Sequence, residues 1–238
     1  MRGALIAVSV AMLTTQAIAQ NSVQQWQACN DQDHPEHIIE SCTAVIDANQ
    51  EPREKLALAF NNRGYAYTRD GQYDRAMADL DRSIRLDPRS ALAFNNRGYA
   101  WSLQDQHARA VADFSRAIEL EPAYAAAFNN RCWSRVILGD LNDALADCDQ
   151  SLRLRPNAPT TLNSRGFIYL KLGRPEQAIA DYDADLQQRP RSATSLYGRG
   201  LAYLKQSDTE KGKQDIAAAE QIDPEVTAKF RQWGVSGP

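Results

Sequence analysis

The chain has 238 residues, 27 basic and 30 acidic side chains and a formal net charge of −3. No basic run is present to neutralise phosphates, which excludes a nucleic-acid partner of the usual electrostatic kind. The chain has three histidines, four cysteines and no Cys-x-x-Cys, which argues against a thioredoxin-like redox catalyst.

Residues 1–19 read as an export signal. Arg2 supplies a positive end, Gly3 to Met12 is an unbroken small and apolar stretch, and Ala17-Ile18-Ala19 offers small residues for cleavage before Gln20. A membrane anchor needs about 20 apolar residues. This segment ends sooner and carries Thr14, Thr15 and Gln16, so stable membrane insertion after cleavage is not expected. Gln20, rather than a cysteine, follows the cut, which argues against a bacterial lipoprotein. Residues 20–56 then suggest a short, degenerate helical hairpin, Val23 to Asn30 and Pro35 to Ala48, with Trp26, Ile38, Ile39, Val45 and Ile46 as its apolar residues. It reads as an N-terminal cap.

From Ala57 onward one period of 34 residues governs the chain. Gly64, Gly98, Cys132, Gly166 and Gly200 share one slot, and Pro88, Pro122, Pro156, Pro190 and Pro224 share another. A large residue stands four places before the glycine slot (Phe60, Phe94, Phe128, Leu162, Leu196), and an aromatic usually stands three places after it (Tyr67, Trp101, Tyr169, Tyr203). A small residue follows at Ala76, Ala110, Ala144, Ala178 and Gly212. This pattern resembles the tetratricopeptide repeat (TPR), a pair of antiparallel helices. The resemblance implies an all-α, right-handed superhelical solenoid, with units at 57–90, 91–124, 125–158, 159–192 and 193–224. With Ala57 as position 1, the first helix of each unit covers about positions 1–14 and the second about 17–30. Asp70-Gly71, Gly139-Asp140, Gly173-Arg174-Pro175 and Gln206-Ser207-Asp208 mark the turns between them. Residues 225–238 read as a capping helix and tail, the helix an unpaired first helix over the last hydrophobic edge.

Position 8, the glycine slot, faces position 24 of the return helix, where Leu80, Phe114, Tyr182 and Ile216 stand. In the third unit both sites become cysteine, Cys132 and Cys148, and facing positions at a close crossing suit a disulfide. Cys29 and Cys42 form the other pair in an exported chain with an even cysteine count. They bracket His34 and His37, so a zinc site of two sulfurs and two nitrogens is the alternative; neither metal nor cofactor is expected. Arginine fills position 7 (Arg63, Arg97, Arg131, Arg165, Arg199) and aspartate position 23 (Asp79, Asp113, Asp147, Asp181, Asp215), which suggests one structural ion pair per unit.

The resemblance to TPR proteins implies that positions 2, 5, 6, 9, 12 and 13 of the first helices line a concave groove. Asn61, Asn62 and Tyr65, then Asn95, Asn96 and Tyr99, then Asn129, Asn130 and Trp133, and finally Asn163 and Phe167 are therefore the candidate ligand-binding residues. Carboxamides beside rings suit an extended peptide, since asparagine both donates to and accepts from main-chain amides. The asparagines at position 6 resemble the ladder with which some TPR arms grip peptide backbone, and Ser164 and Gly198 interrupt it. The basic residues of carboxylate-clamp TPRs are mostly missing, Arg69, Lys171 and Lys205 apart. The chain as a whole resembles exported TPR proteins of Gram-negative bacteria. The expectation is a periplasmic, non-enzymatic scaffold that binds a protein or peptide partner, with a glycan or cell-wall fragment as the alternative ligand. His107, at the start of a return helix, reads as a surface histidine, and no G-x-S-x-G or H-E-x-x-H motif suggests catalysis.

Overall fold

The computed structural model describes residues 22–31 and 37–235, and the described residues form helices and turns without strands. Residues 1–19, where an export signal is expected, and His34 lie outside them. In chain order the helices are α1 (22–29), α2 (Ile38–Ala48), α3 (Arg53–Arg69), α4 (Tyr73–Leu86), α5 (Ala91–Ser102), α6 (His107–Leu120), α7 (Ala125–Leu138), α8 (Leu141–Leu154), α9 (Pro159–Lys171), α10 (Pro175–Gln188), α11 (Ala193–Lys205), α12 (Thr209–Ile222) and α13 (Val226–Gln232). Two compact units divide between Gln104 and Asp105, the first holding α1–α5 and the second α6–α13. Among the described residues, no helix is long and apolar enough to cross a membrane.

The turn between the two helices of each repeat has one chemical requirement, a left-handed residue at position 15. Gly71, Gly139 and Gly173 meet it with φ of 74°, 90° and 69°, while Asp105 and Ser207 adopt φ of 57° and 65° with a side chain present. The next N–H then bonds back to the carbonyl of position 11, as in Gln72 to Tyr67 (2.9 Å), Asp140 to Arg135 (2.9 Å), Arg174 to Tyr169 (2.9 Å) and Asp208 to Tyr203 (3.0 Å). These six-to-one bonds satisfy carbonyls that the helix end would otherwise leave orphaned.

Close packing explains the glycine slot. A Cβ on Gly64 would stand 2.8 Å from Leu80 Cγ, one on Gly166 3.0 Å from the Tyr182 ring, and one on Gly200 2.8 Å from Ile216 Cγ1. Positions 8 and 24 therefore touch, and in the third repeat the same contact carries the Cys132–Cys148 disulfide, with the Cα atoms 5.6 Å apart. Cys29 and Cys42 are likewise joined between α1 and α2 at a Cα separation of 4.7 Å. With those two sulfurs bonded to each other, they offer no thiolates for zinc, and no group of three or more metal-ligating side chains is found among the described residues.

The charged ladder is more extensive than one pair per repeat. The Nε and Nη2 of Arg63, Arg131, Arg165 and Arg199 fork onto both carboxylate oxygens of Asp79, Asp147, Asp181 and Asp215 at 2.6–2.9 Å. The remaining Nη1 reaches back to position 25 of the preceding return helix. It meets Ser115 from Arg131 (3.0 Å), Asp149 from Arg165 (2.8 Å) and Asp183 from Arg199 (2.7 Å). In the first unit Arg97 bonds Asp81 (2.7 Å), and Arg63 bonds Thr43 of α2 (3.0 Å). The hydrogen bond to Asp181 is the largest influence raising the Arg165 pKa.

His107 is not a surface residue. It is 9% exposed, with Nδ1 3.5 Å from the hydroxyl of Ser134, itself fully buried. Position 17 is the first residue of the return helix, and its side chain turns under α7 rather than out to water.

Two outcomes follow from this architecture. Arg165→Ala leaves the buried carboxylate of Asp181 without its fork, so chemical denaturation should show a loss of about 3–5 kcal/mol; an unchanged midpoint would mean that the ladder is solvated. Burial lowers the pKa of His107, with Asp105 pulling weakly upward. The neutral ring is therefore the folded form, and its contribution is present above about pH 6.5 and lost as pH falls through the lower folded-state value. His107→Gln should flatten that stretch of the stability-versus-pH curve; a curve identical to wild type would contradict the assignment.

Candidate functional site

In the first unit, α3 and α5 carry the predicted asparagines and tyrosines. Asn61 is 2% exposed and Asn95 and Asn96 are each 7% exposed, so these three form a polar seam between helices more than a lining of the face. Asn96 Nδ2 donates to Asn61 Oδ1 (2.9 Å), Asn61 Nδ2 to Asn62 Oδ1 (3.0 Å), and Asn62 Nδ2 to the Cys29 carbonyl (3.1 Å) and Asn30 Oδ1 (2.8 Å). The asparagine run thus welds α5 to α3 and α3 to the N-terminal hairpin. Neutral hydrogen bonds of this kind contribute about 1 kcal/mol each, and losing one partner in a buried setting costs more. What the face presents outward is Tyr65 and Tyr99, both half-buried, with ring centroids 6.2 Å apart and planes tilted by 40°. Arg69 stands exposed one turn beyond Tyr65.

Within the second unit a similar seam forms at one end and is interrupted at the other. Asn163 Nδ2 bonds Ser195 (2.7 Å) and Thr194 (3.2 Å) of α11. Ser195 in turn donates to the fully buried carboxylate of Asp185, which Arg189 neutralises at 2.6 Å. Asn129, however, has a buried Oδ1 with no partner. The residue that would serve it stands at position 6 of the next repeat, and there Ser164 donates instead to Thr160 within its own helix (3.0 Å). Gly198 breaks the seam for a different reason. A Cβ there would lie 2.3 Å from Cζ of Tyr182, whose fully buried phenol occupies the space with its hydroxyl unbonded.

The outward face of the second unit is already occupied. Helix α13 packs on α11 and α12, but it does not simply continue the stack as an unpaired first helix. Instead its rings reach across the first-helix face. Phe230 lies 4.7 Å from Tyr197 and 5.4 Å from Phe167, and Trp233 lies 5.0 Å from Trp133 and 5.8 Å from Phe167, the last three contacts edge to face. Lys171 Nζ donates to the Trp233 carbonyl at 3.0 Å, next to Gly234, whose φ of 79° turns the chain out of the helix. Phe167 is consequently 2% exposed, and Trp133 is half-buried. Of the predicted ligand residues in this unit, these two contact the chain's own C-terminus. Sequence reasoning missed Lys171, Tyr197, Phe230 and Trp233 as one cluster. The available signal was two large rings three residues apart on a short helix with no partner helix.

Three family models match the sequence: a tetratricopeptide repeat over residues 138–196, a TPR repeat over 64–105, and a tetratricopeptide repeat over 193–226. Curated proteins include no match to this chain. Among solved structures, Pseudomonas aeruginosa pilF is 17% identical, with 90% of this chain and 97% of that one covered and a TM-score of 0.72. YrrB, described as a TPR protein with an unusual peptide-binding site, is 21% identical over 82% and 98% of the two chains with a TM-score of 0.60. MamA is 15% identical over 75% and 95%, also at 0.60. These likenesses carry the fold alone. Taken with the 34-residue period and the paired helices that bear it, the three matches make this chain a tetratricopeptide-repeat protein.

Proposed function

We propose that this protein is an exported, non-enzymatic scaffold whose first-helix face binds an extended segment of a partner protein. The observation that carries the reading is the seat of α13. In the second unit that face holds a polypeptide segment by two aromatic anchors and one lysine bond to a main-chain carbonyl. The first unit offers the same chemistry in the same register, with Tyr65 and Tyr99 at the ring position and Arg69 at the cation position. Rings set in a fixed framework lose little entropy on binding, so the ligand bears most of the ordering cost. His107 and Ser134 do not suggest catalysis, since the serine hydroxyl is sealed from any substrate. Both disulfides fit an oxidising compartment, which agrees with the export-signal pattern of residues 1–19.

A random peptide array and a set of peptidoglycan fragments, probed with the full chain, separate the two ligand classes. Peptides bearing aromatic residues should bind, and Tyr65→Ala with Tyr99→Ala should weaken them about tenfold, equivalent to ~1.4 kcal/mol, with unchanged circular dichroism. Binding of the sugar fragments alone would transfer the reading to a glycan ligand. Denatured protein taken directly from its native compartment should show no reactive thiol; titration of all four cysteines would remove export from the proposal.

A further inference from the structure

We propose that the α7–α9–α11 face is a second recognition surface, for a segment bearing two aromatic residues three positions apart, and that α13 is its built-in competitor. This rests on the reading of the first-helix face as a peptide site. The surface is a graded ring cluster: Trp133 from α7, Phe167 from α9 and Tyr197 from α11 accept Phe230 and Trp233 in neighbouring slots. Lys171 closes the far end by taking the carbonyl of Trp233, a helix-terminal group with no partner inside its own helix. Nothing in that set is particular to α13 beyond its two rings and that carbonyl.

Three features make α13 displaceable. It is seven residues long, far below the length at which a helix holds together unaided, so its order depends on the seat. Lys229, Arg231 and Gln232 are exposed, so besides the Lys171 bond what holds it is Val226, Phe230, Trp233 and Val235, one exposed hydrogen bond from Thr227 to Glu220 of α12, and the Lys229–Asp223 pair within its own linker. It is also joined to α12 by only Asp223, Pro224 and Glu225, and it ends at a left-handed Gly234, so it can leave as a unit without unfolding the repeats before it. The repeats beneath are independently braced by the arginine forks at Arg165 and Arg199 and by the Cys132–Cys148 bond. Such a segment opens locally at a free energy well below global unfolding. A competing partner segment sees the face only in the open fraction, so its apparent affinity falls by that fraction. The device sets a threshold: weak aromatic segments are excluded, and a partner with better-placed rings displaces α13.

The probe is a fluorescein-labelled peptide of residues 224–235, read by anisotropy against the full chain. Phe230→Ala with Trp233→Ala should bind it at least about tenfold more tightly than wild type, because the competitor is gone. Both proteins carry Tyr65→Ala and Tyr99→Ala, which removes the first-unit site from the measurement and keeps this test separate from it; adding Trp133→Ala should then abolish binding. Equal binding by wild type and the double variant, or equal binding of a probe with both rings replaced by alanine, would overturn the proposal. So would a dimer in the wild type that the double variant abolishes, since the occupant would then be α13 of a second copy. If the double variant fails to fold, hydrogen exchange on wild type decides. Amides of α13 should exchange ahead of those in α9 and α11, and exchange only at the global rate would overturn the proposal.

Discussion

The arginine at position 7 is the contact on which the stacking of these helices depends. One guanidinium edge forks onto the aspartate of its own return helix, and the other edge holds an oxygen of the preceding one, so a single side chain fixes both the hairpin and its neighbour. Around it the helix interfaces are rich in alanine, with Ala59, Ala76, Ala93, Ala110, Ala127, Ala144 and Ala178 at or near zero exposure. Small residues let helices approach closely but give them little shape with which to choose a register. A rigid fork with five donors supplies that choice, and lysine could not. The same guanidinium carbons lie 5.6 Å from the rings of Phe60, Phe94 and Phe128 and 5.7–5.9 Å from Tyr67, Tyr169 and Tyr203. That places the charge against aromatic faces, whose quadrupole attracts it.

Where a repeat departs from the pattern, the departure is shared between two positions in contact. Cysteine replaces glycine at position 8 only where position 24 is also cysteine. Gly198 replaces asparagine at position 6 only where the phenol of Tyr182 fills the asparagine's place. Asp185 replaces the serine or alanine usual at position 27, and Ser195 and Arg189 supply the donors that a buried carboxylate requires. The exception is Asn129, whose partner shortened to Ser164 without any other change.

Periodicity made the fold legible, because a strict 34-residue repeat reports the same environment at each copy. The position 8 to 24 contact and the fork from position 7 to position 23 were readable for that reason. The second half of each fork was harder to see. Its acceptors are Thr43, Asp81, Ser115, Asp149 and Asp183, which share an oxygen but not a residue type. Asp105 hid the second repeat's turn, since an aspartate in left-handed backbone carries no glycine signature. The burial of His107 was likewise invisible, because position 17 holds Tyr73, His107, Leu141, Pro175 and Thr209 and so shows no common polarity. The asparagines recur at positions 5 and 6 of the first helices, yet which way an amide turns is decided by the adjacent repeat. Helix α13 was recognisable as a helix, but no period applies to a segment that occurs once, and its seat follows from ring chemistry alone.

The disulfide and the ring cluster of the second unit belong to one piece of engineering in α7. Cys132 and Trp133 are consecutive, so their side chains leave the helix about 100° apart, one into the hairpin and one toward the face. Bonding Cys132 to Cys148 fixes α7 against α8, in a closed loop whose ends are 16 residues apart, and constrains the unfolded chain by about 3 kcal/mol in the chain-entropy model. The larger consequence is for Trp133. At the first, fourth and fifth repeats this crossing is a van der Waals contact, whereas here it is a covalent bond between α7 and α8. Trp133 on this braced helix meets the Trp233 ring edge to face at 5.0 Å, and a site ordered before binding is the condition under which aromatic contacts discriminate between one occupant and another. The single repeat with a covalent crossing is thus also the one that carries a tryptophan at the ring position, which under the proposed competition puts the brace where selection among aromatic segments would require it.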